Sequence, residues 1–478
     1  MTQIVAVDEG TTGVSALVLD ERGRLLDRQY SEFRQIYPQP GWVEHDPVEI
    51  WTTTLGLLRK VIRNPADVAA IGITNQRETT VIWDRKTGKP VFNAIVWQCR
   101  RTAPDCEKLR RRGLEKAIRK KTGLVLDAYF SATKARWILE HVRPKGDLCF
   151  GTIDSWLLWN LSGGKVHATD PTNASRTMLF NISRRDWDAD LLRLFKVSRS
   201  MLPEVRGSAA SFGACARGHF GLEIPLAGCA GDQQAALFGQ GCVAPGAMKN
   251  TYGTGGFLMV NTGKKRVDSR AGLLTTLACG PRGETVFALE GAVFIAGAAI
   301  QYLRDSLRII GSAAETEPLA RSVASTGGVY FVPAFVGLGA PYWDMDARGA
   351  ILGLTRGSGR AEIVRAALEA IAYQTRDMIE AGGMRVKELN VDGGAVANDF
   401  LMQFQADLLG ARIMRPKNSH STGTGAALLA GVGAGVWKSR ADVAPEVDRV
   451  YEPRMPRKEA DRLFAGWKSA VRRVLTRP

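Results

Sequence analysis

The chain has 478 residues, 45% of them hydrophobic and 23% charged, with a formal net charge of +16. That length is too great for one ordinary core, so two or more domains are expected. The composition is normal for a soluble globular protein, and no uninterrupted apolar span is long enough to cross a bilayer.

Residues 4–7 and 14–19 are apolar runs suited to buried strands. Between them Asp8-Glu9-Gly10-Thr11-Thr12-Gly13 reads as a tight turn that could aim backbone N–H groups and threonine hydroxyls at an anion. Asp8, at the strand's end, could hold a metal ion or its waters. The start carries no basic stretch followed by an apolar signal region, so a cytoplasmic location is expected. Asp46, Pro47 and Glu49 mark a helix start, and Ile50, Trp51, Leu55, Leu58 and Ile62 continue it with a helical apolar face. Residues 68–74 read as a strand ending in the polar cluster Asn75-Gln76-Arg77-Glu78-Thr79-Thr80, where ligands sit in α/β sheets. Two strands, 81–84 and 91–97, follow, then a short helix over 134–142. Residues 168–181 read as a polar loop entering a strand.

Residues 227–231 lead into a helix that starts at Asp232. A second strand-and-glycine region, Asn250-Thr251-Tyr252-Gly253-Thr254-Gly255-Gly256-Phe257, echoes the opening turn and suggests two related halves. Helices are expected over 292–307, 361–381 and 399–409. A strand over 389–392 ends in Gly393-Gly394, and 453–478 reads as a charged amphipathic helix. Seven scattered cysteines without a CxxC pair speak for buried free thiols, and the five histidines show no metal-ligand spacing. The basic clusters at 110–112, 119–121 and 264–266 are dispersed and read as solvated surface rather than a nucleic-acid site.

No GxxxxGK[ST] loop, dinucleotide fingerprint or protein-kinase catalytic loop is present. A bound nucleotide would need separate glycine-rich turns, and residues 8–13, 253–256 and 392–395 are the candidates. Asp232, at a helix start, is the best single general base for phosphoryl transfer to a hydroxyl. Alternatively, it only caps its helix. Arg77 and Glu78 could grip a polyol, donor beside acceptor, or form an ordinary surface ion pair. Trp97, Tyr129 and Phe257 could pack on the carbon atoms of a small ligand, or be simple core.

Ten blocks carry a family resemblance: GWVEHDP (41–47), GITNQRETT (72–80), AIVWQCRRT (94–102), YFSATKARWILEH (129–141), TNASRTMLFNI (172–182), AGDQQAALFGQ (230–240), NTYGTG (250–255), ALEGAVF (288–294), PAFVGLGAPYWD (333–344) and VDGGAVAN (391–398). They span nearly the whole chain, which closely resembles the glycerol kinases of the FGGY sugar-kinase family. The resemblance implies an α/β fold of two actin-like (ribonuclease H-like) domains with a central cleft, divided as 1–245 and 246–478. It implies ATP-dependent phosphorylation of glycerol to sn-glycerol 3-phosphate with Mg2+. Asp232 would be the base, and Arg77, Glu78, Trp97, Tyr129, Gln233 and Phe257 would surround glycerol. Thr11, Thr12, Gly13 and Ser15 would meet the ATP phosphates with Asp8 near the magnesium. Thr254, Gly297, Gln301, Gly394 and Asn398 would hold the nucleotide. Family members form dimers or tetramers, which leaves a homo-oligomer open; neither nucleic acid nor membrane insertion is expected.

Three departures stand out. The family's DQGTTSSR turn is here Asp8-Glu9-Gly10-Thr11-Thr12-Gly13-Val14-Ser15, which adds a negative charge and removes an arginine, so weaker ATP binding is expected unless another arginine substitutes. The TALGAA motif is Thr422-Gly423-Thr424-Gly425-Ala426-Ala427, expected to be looser. In some bacterial members a glycine-rich loop with an arginine binds fructose bisphosphate; here Glu223 stands where that arginine would lie, so no such inhibition is expected. The alternatives are a related kinase for another polyol or ketose, and a catalytically weakened sensor.

Overall fold

The computed structural model describes residues 2–269 and 271–476. Its frame is two mixed β-sheets built on one plan. The first contains β1 (Gln3–Glu9), β2 (Gly13–Asp20), β3 (Leu25–Glu32), β4 (Val68–Asn75) and β5 (Leu226–Gly231), in the order β5-β4-β1-β2-β3. β1 to β3 form an antiparallel meander, whereas β4 and β5 continue parallel to β1. The second contains β6 (Met248–Tyr252), β7 (Gly256–Gly263), β8 (Leu274–Cys279), β9 (Thr285–Val293), β10 (Glu388–Asp392), β11 (Arg412–Pro416) and β12 (Val447–Tyr451). Its order is β8-β9-β7-β6-β10-β11-β12. The inner five repeat the first sheet: β9-β7-β6 antiparallel, then β10 and β11 parallel to β6. The echo between the two glycine–threonine turns is therefore a repeat of architecture.

The opening strand is apolar throughout because both of its faces are covered. Val5 and Val7 join a core with helix α1 (Pro47–Val61). Ile4 and Ala6, pointing the other way, join Leu17, Ala426 and Leu429. The start of α1 is fixed as its sequence dictates: Asp46 accepts a hydrogen bond from the Val48 N–H at 2.8 Å, with Pro47 at the first position. Helix α2 (Asp232–Gly239) leaves the first sheet at β5. Helix α3 (Gly297–Asp305) and the long α4 (Arg360–Ala381), with α5 (Asp399–Leu409), pack on the second sheet. Helix α6 (Ser421–Gly433) comes from the second half of the chain yet packs across the first sheet and α2. Helix α7 (Arg457–Arg472) closes the second half; the end of the expected 453–478 helix, residues 477 and 478, lies outside the described residues.

Three expectations need correction. The strand over 91–97 is reduced to Ala94–Ile95, whose strand partner is the two-residue segment Glu44–His45. The helix over 292–307 begins only at Gly297, because residues up to Val293 complete β9. The TGTGAA segment is not loose: a Cβ on Gly425 would stand 1.8 Å from the Ala235 carbonyl oxygen, and one on Gly423 would meet Leu17 at 2.5 Å. The glycines let α6 approach α2 and β2 closely. All seven cysteines are free and buried. Many of the basic residues are tied to local partners, Lys121 to Asp188 and Asp190, Arg110 to Glu107, and Arg266 to Asp268. Among the described residues no helix is long and apolar enough to cross a membrane.

Candidate active site

The two sheets meet over a buried cluster of charges. Arg77 follows the end of β4, where the chain turns sharply: the Thr79 N–H donates to the Arg77 carbonyl at 2.7 Å and Glu78 takes φ +62°. Gly231, at the end of β5, makes room for the arginine, because a Cβ there would lie 2.6 Å from Arg77 Cγ. The guanidinium then spends its donors on fixed partners. Nε reaches Asp232 Oδ1 at 3.1 Å, Nη1 reaches Glu290 Oε2 at 2.6 Å and Gln234 at 3.2 Å, and Nη2 reaches Glu290 Oε1 at 3.1 Å. Glu290 lies on β9, so this pair joins the two sheets. A second arginine, Arg176, donates to Glu78 Oε1 at 2.6 Å and to Glu290 Oε1 at 2.9 Å. Burial works against the Glu290 carboxylate, but Arg176 and Arg77 outweigh it and hold it at about 2.

Asp232 opens α2, where its Oδ1 also accepts the Gln233 N–H at 2.6 Å. The helix start and the Arg77 guanidinium both place positive charge beside this carboxylate. Its side chain keeps 28% of its exposure, in contrast to the sealed Arg77, Glu78 and Glu290. Gln233 is held in turn by the buried Lys249, whose ammonium donates to Gln233 Oε1 and to Thr251 Oγ1. Burial pulls Lys249 down to about 8. Tyr129 sits edge-on to Trp97 with ring centroids 5.5 Å apart, and Lys134 pins its loop by donating to the carbonyls of residues 128, 129 and 130. Phe257 is cross-strand from Thr251 and Ala292, so it shares the face of β7 that presents Lys249 and Glu290 to the seam.

The first glycine–threonine turn closes with the Gly10 N–H donating to the Gly13 carbonyl at 2.9 Å. Trp97 Nε1 donates to Thr11 Oγ1 at 2.9 Å, linking the turn to the aromatic pair. Beneath it runs a buried chain. Gln76 Nε2 donates to Glu9 Oε1 at 2.9 Å and lies 3.3 Å from His45 Nδ1; His45 Nε2 lies 2.8 Å from Gln35 Oε1; Gln35 Nε2 donates to the Thr11 carbonyl at 3.0 Å. Glu9 is fully buried in this chain, and burial pushes its carboxyl well above the usual range. Glu9 therefore lies sealed under the turn, bonded to Gln76, rather than open beside a phosphate. At the position of the lost arginine, Ser15 Oγ accepts a hydrogen bond from Arg28 on β3 at 2.9 Å. Asp8 is pushed up to about 7 by burial and by the carboxylates of Asp232 and Asp392, against the pull of Arg28. Asp392 is 2% exposed and its Oδ1 has no partner. A buried carboxylate at Asp8 and the unpartnered oxygen of Asp392 are hard donors of the kind that fits a divalent cation.

On the second sheet a cavity of about 680 Å³ gathers all five nucleotide candidates, Thr254, Gly297, Gln301, Gly394 and Asn398. Its walls combine glycine turns with the side chains of Ile300, Leu368, Ile371 and Leu401. The Gly297 N–H donates to the Gly253 carbonyl at 2.9 Å, and Gly393, at φ +90°, passes so close to Tyr252 that a Cβ would lie 2.5 Å from its carbonyl oxygen. Asn398 caps α5 through the Leu401 N–H and donates to Thr316 Oγ1 at 3.1 Å.

The sequence reading left Arg176, Glu290, Lys249, Asp392 and Gln76 without roles. A signal existed for two of them. A lone charge inside an apolar block, Glu290 in ALEGAVF and Arg176 in TNASRTMLFNI, marks a buried, paired ion. Gln76 and Asp392 lie inside the family blocks and Lys249 just before one, but nothing local in the sequence names the partners they meet.

Two sheets of one plan, each carrying a glycine–threonine turn toward a shared charged seam, define a two-domain phosphotransferase of actin-like fold. The chain belongs to the FGGY family of carbohydrate kinases, whose N-terminal domain matches residues 3–239 and whose C-terminal domain matches 248–434. It is 56% identical to a protein named glycerol kinase 2 from Thermotoga maritima, covering 99% of each chain. It is equally 56% identical to a glycerol kinase from Thermoanaerobacter sp. strain X514, covering 99% of this chain and 98% of that one. The solved glycerol kinase of Plasmodium falciparum with ADP is similar at a TM-score of 0.93 and 36% identity, over 100% of this chain and 99% of that chain. A xylulose kinase from Lactobacillus acidophilus, at a TM-score of 0.88 but 21% identity, shares the fold.

Proposed function

We infer that this chain phosphorylates glycerol with ATP, giving sn-glycerol 3-phosphate and ADP. The observation that carries the reading is Asp232, a carboxylate fixed by Arg77 at a helix start and open to a seam whose other side holds a nucleotide-sized cavity. The full-length similarity to enzymes named for glycerol supports the acceptor.

Glycerol lies against Trp97, Tyr129 and Phe257 with its hydroxyls toward Arg77, Glu78, Asp232 and Gln233. Asp232 accepts the proton of the terminal hydroxyl as that oxygen attacks the γ-phosphorus, and the bond to the bridging oxygen of ADP breaks. Thr254, Gly297, Gln301, Gly394 and Asn398 hold the nucleotide, while Thr11, Thr12, Gly13 and Ser15 meet its phosphates. Asp8, with Asp392 behind it, would hold magnesium, which neutralises phosphate charge when bound. Closure of the seam excludes water and limits ATP hydrolysis. We divide the chain at 245/246, with α6 reaching back onto the first sheet. ATP as co-substrate and seven free thiols support a cytoplasmic location.

The test is a coupled ADP-release assay with magnesium-ATP and a panel of glycerol, xylulose, gluconate and ribitol. Release with glycerol far above the others is expected. A preference for a ketose would overturn the acceptor, and no release with any of them would overturn the reaction.

A further inference from the structure

We propose that Arg28, on the edge strand β3, is the phosphate-binding cation of the first turn; the proposal rests on the phosphoryl-transfer reading above. Between Gly10 and Ser15 the turn has no basic residue of its own. Register brings Arg28 to it from the side. Asp8 is opposite Ser15 across β1 and β2, Ser15 is opposite Tyr30 across β2 and β3, and Leu17 is opposite Arg28. Cross-strand partners share a face, and residues two apart share it too, so Asp8, Ser15, Tyr30 and Arg28 stand on one face of the sheet. That face also carries Leu17, which packs toward α6 and the seam.

The guanidinium is held there by two contacts. Nη2 donates to Ser15 Oγ at 2.9 Å, and its central carbon lies 5.6 Å from the Tyr30 ring. Tyr30 in turn depends on Gly13: a Cβ at position 13 would lie 2.7 Å from the Tyr30 hydroxyl. Gly13, Ser15, Tyr30 and Arg28 thus form one packing unit. A bare backbone at 13 admits the tyrosine, the tyrosine supports the arginine, and a short hydroxyl at 15 leaves it both space and an acceptor. Since Ser15 is neutral, this bond forms no ion pair, and the arginine's charge is felt at Asp8 and at His420. Arg28 is also exposed, which lets its planar fork turn onto phosphate oxygens. The charge that the turn lacks in its own sequence is delivered by the neighbouring strand.

The experiment compares the parent enzyme with Arg28→Ala and with the double variant Ser15→Arg/Arg28→Ala, which moves the guanidinium onto the turn. Each is assayed for ADP release, and each is titrated with ADP and with a non-hydrolysable ATP analogue in the absence of glycerol. Arg28→Ala is expected to lower kcat/KM for ATP by ~10–100-fold, in line with loss of one charged donor at a transferring group. Its affinity for the ATP analogue should fall while its affinity for ADP and its KM for glycerol stay at parent values. The double variant should recover most of the loss. Unchanged analogue affinity and unchanged kcat/KM in Arg28→Ala would overturn the proposal. A loss that extends equally to ADP would also overturn it, since that places Arg28 away from the terminal phosphate. If the parent releases no ADP with glycerol, the reaction reading fails by itself, and the analogue titration still decides Arg28.

Discussion

The acceptor side of the seam is built from buried charges, and the nucleotide side from glycine turns and apolar side chains. Around Arg77 two arginines and two glutamates are sealed from water, and each ion is paired at 3.1 Å or less. At Gly297 the cavity wall leaves no room for a Cβ, which would lie 2.7 Å from the Gly253 carbonyl oxygen, and Gly393 next to the cavity is as tight against Tyr252. The contrast follows from the two ligands. A small triol offers only hydroxyls, so it needs donors and acceptors that do not move. A nucleotide offers a large surface and phosphates, which backbone N–H groups and glycine turns can follow closely. Changes on the acceptor side should therefore act through charge, and changes on the nucleotide side through shape.

The largest effect is expected at the one acceptor-side carboxylate that stays partly open. Asp232→Asn removes the proton acceptor but keeps the side chain's size, so turnover should fall by ~10²–10⁴-fold, the worth of a positioned general base. Glycerol binding, read by calorimetry, should be largely retained. Near-parent turnover would remove Asp232 as the base. Next comes the ion pair that joins the sheets. Glu290→Gln leaves two buried arginines short of a counter-charge, which costs about 3–5 kcal/mol when a buried pair is broken. Urea unfolding measures it, and a change under 1 kcal/mol, the worth of an exposed pair, would mean that the cluster is solvated in solution.

On the nucleotide side the corresponding change is Gly393→Ala. It forces a Cβ against the Tyr252 carbonyl at φ +90°, a strain of about 1–3 kcal/mol. Weaker ATP binding with an unaltered glycerol KM is expected. Equal damage to both substrates would mean that the two sides are not independent.

This contrast also decides what the sequence could reveal. The first strand, α1, α4, α5 and the start of α2 were readable because apolar spacing and caps are local. So was the pair of turns, since Gly10–Gly13 and Gly253–Gly256 announce tight backbone. The charged cluster was only half readable. Arg77 and Glu78 are neighbours in sequence and read as a grip or a surface pair, yet in space Glu78, at φ +62°, is 3.9 Å from Arg77 and bonds more closely, at 2.6 Å, to Arg176, 98 residues on. Nothing local tells a buried arginine which distant carboxylate it will meet. The same limit hid the place of Glu9: an acid in a turn reads as exposed charge, and only the fold shows it buried against Gln76. The second half was less legible than the first, because β8, β9 and α6 depend on partners from elsewhere in the chain; α6 takes its glycines from contact with α2, not from any need to flex.

A smaller, pH-dependent effect sharpens the acceptor side further. Lys249 is held near 8 in the folded chain by burial, against 10.5 when unfolded. Between those values the unfolded chain carries the extra proton, so stability should rise as pH climbs from about 8 toward 10.5. Over the same range the loss of charge beside Asp232 and Gln233 should lower kcat/KM for glycerol. Lys249→Met should flatten the stability slope, and a slope that persists in that variant would assign it to another group.

The smallest effect concerns a part of the first half that touches neither side of the seam. Residues Arg217–Phe220 form a single short helical turn, tied back by His219, whose Nε2 lies 3.0 Å from the Asn160 carbonyl oxygen and whose ring sits against Trp51. Beyond Gly221 the chain exposes Glu223. A bisphosphate approaching this turn meets one exposed arginine, Arg217, and one exposed carboxylate, and the second cancels much of the first. Fructose bisphosphate is therefore expected to leave turnover unchanged across its physiological range. Glu223→Arg reverses the local charge by two and should create a weak, salt-sensitive inhibition, because exposed charges act through a screened field. Strong inhibition of the parent chain would mean that the turn is rebuilt on binding, and that the glutamate at 223 does not govern the site.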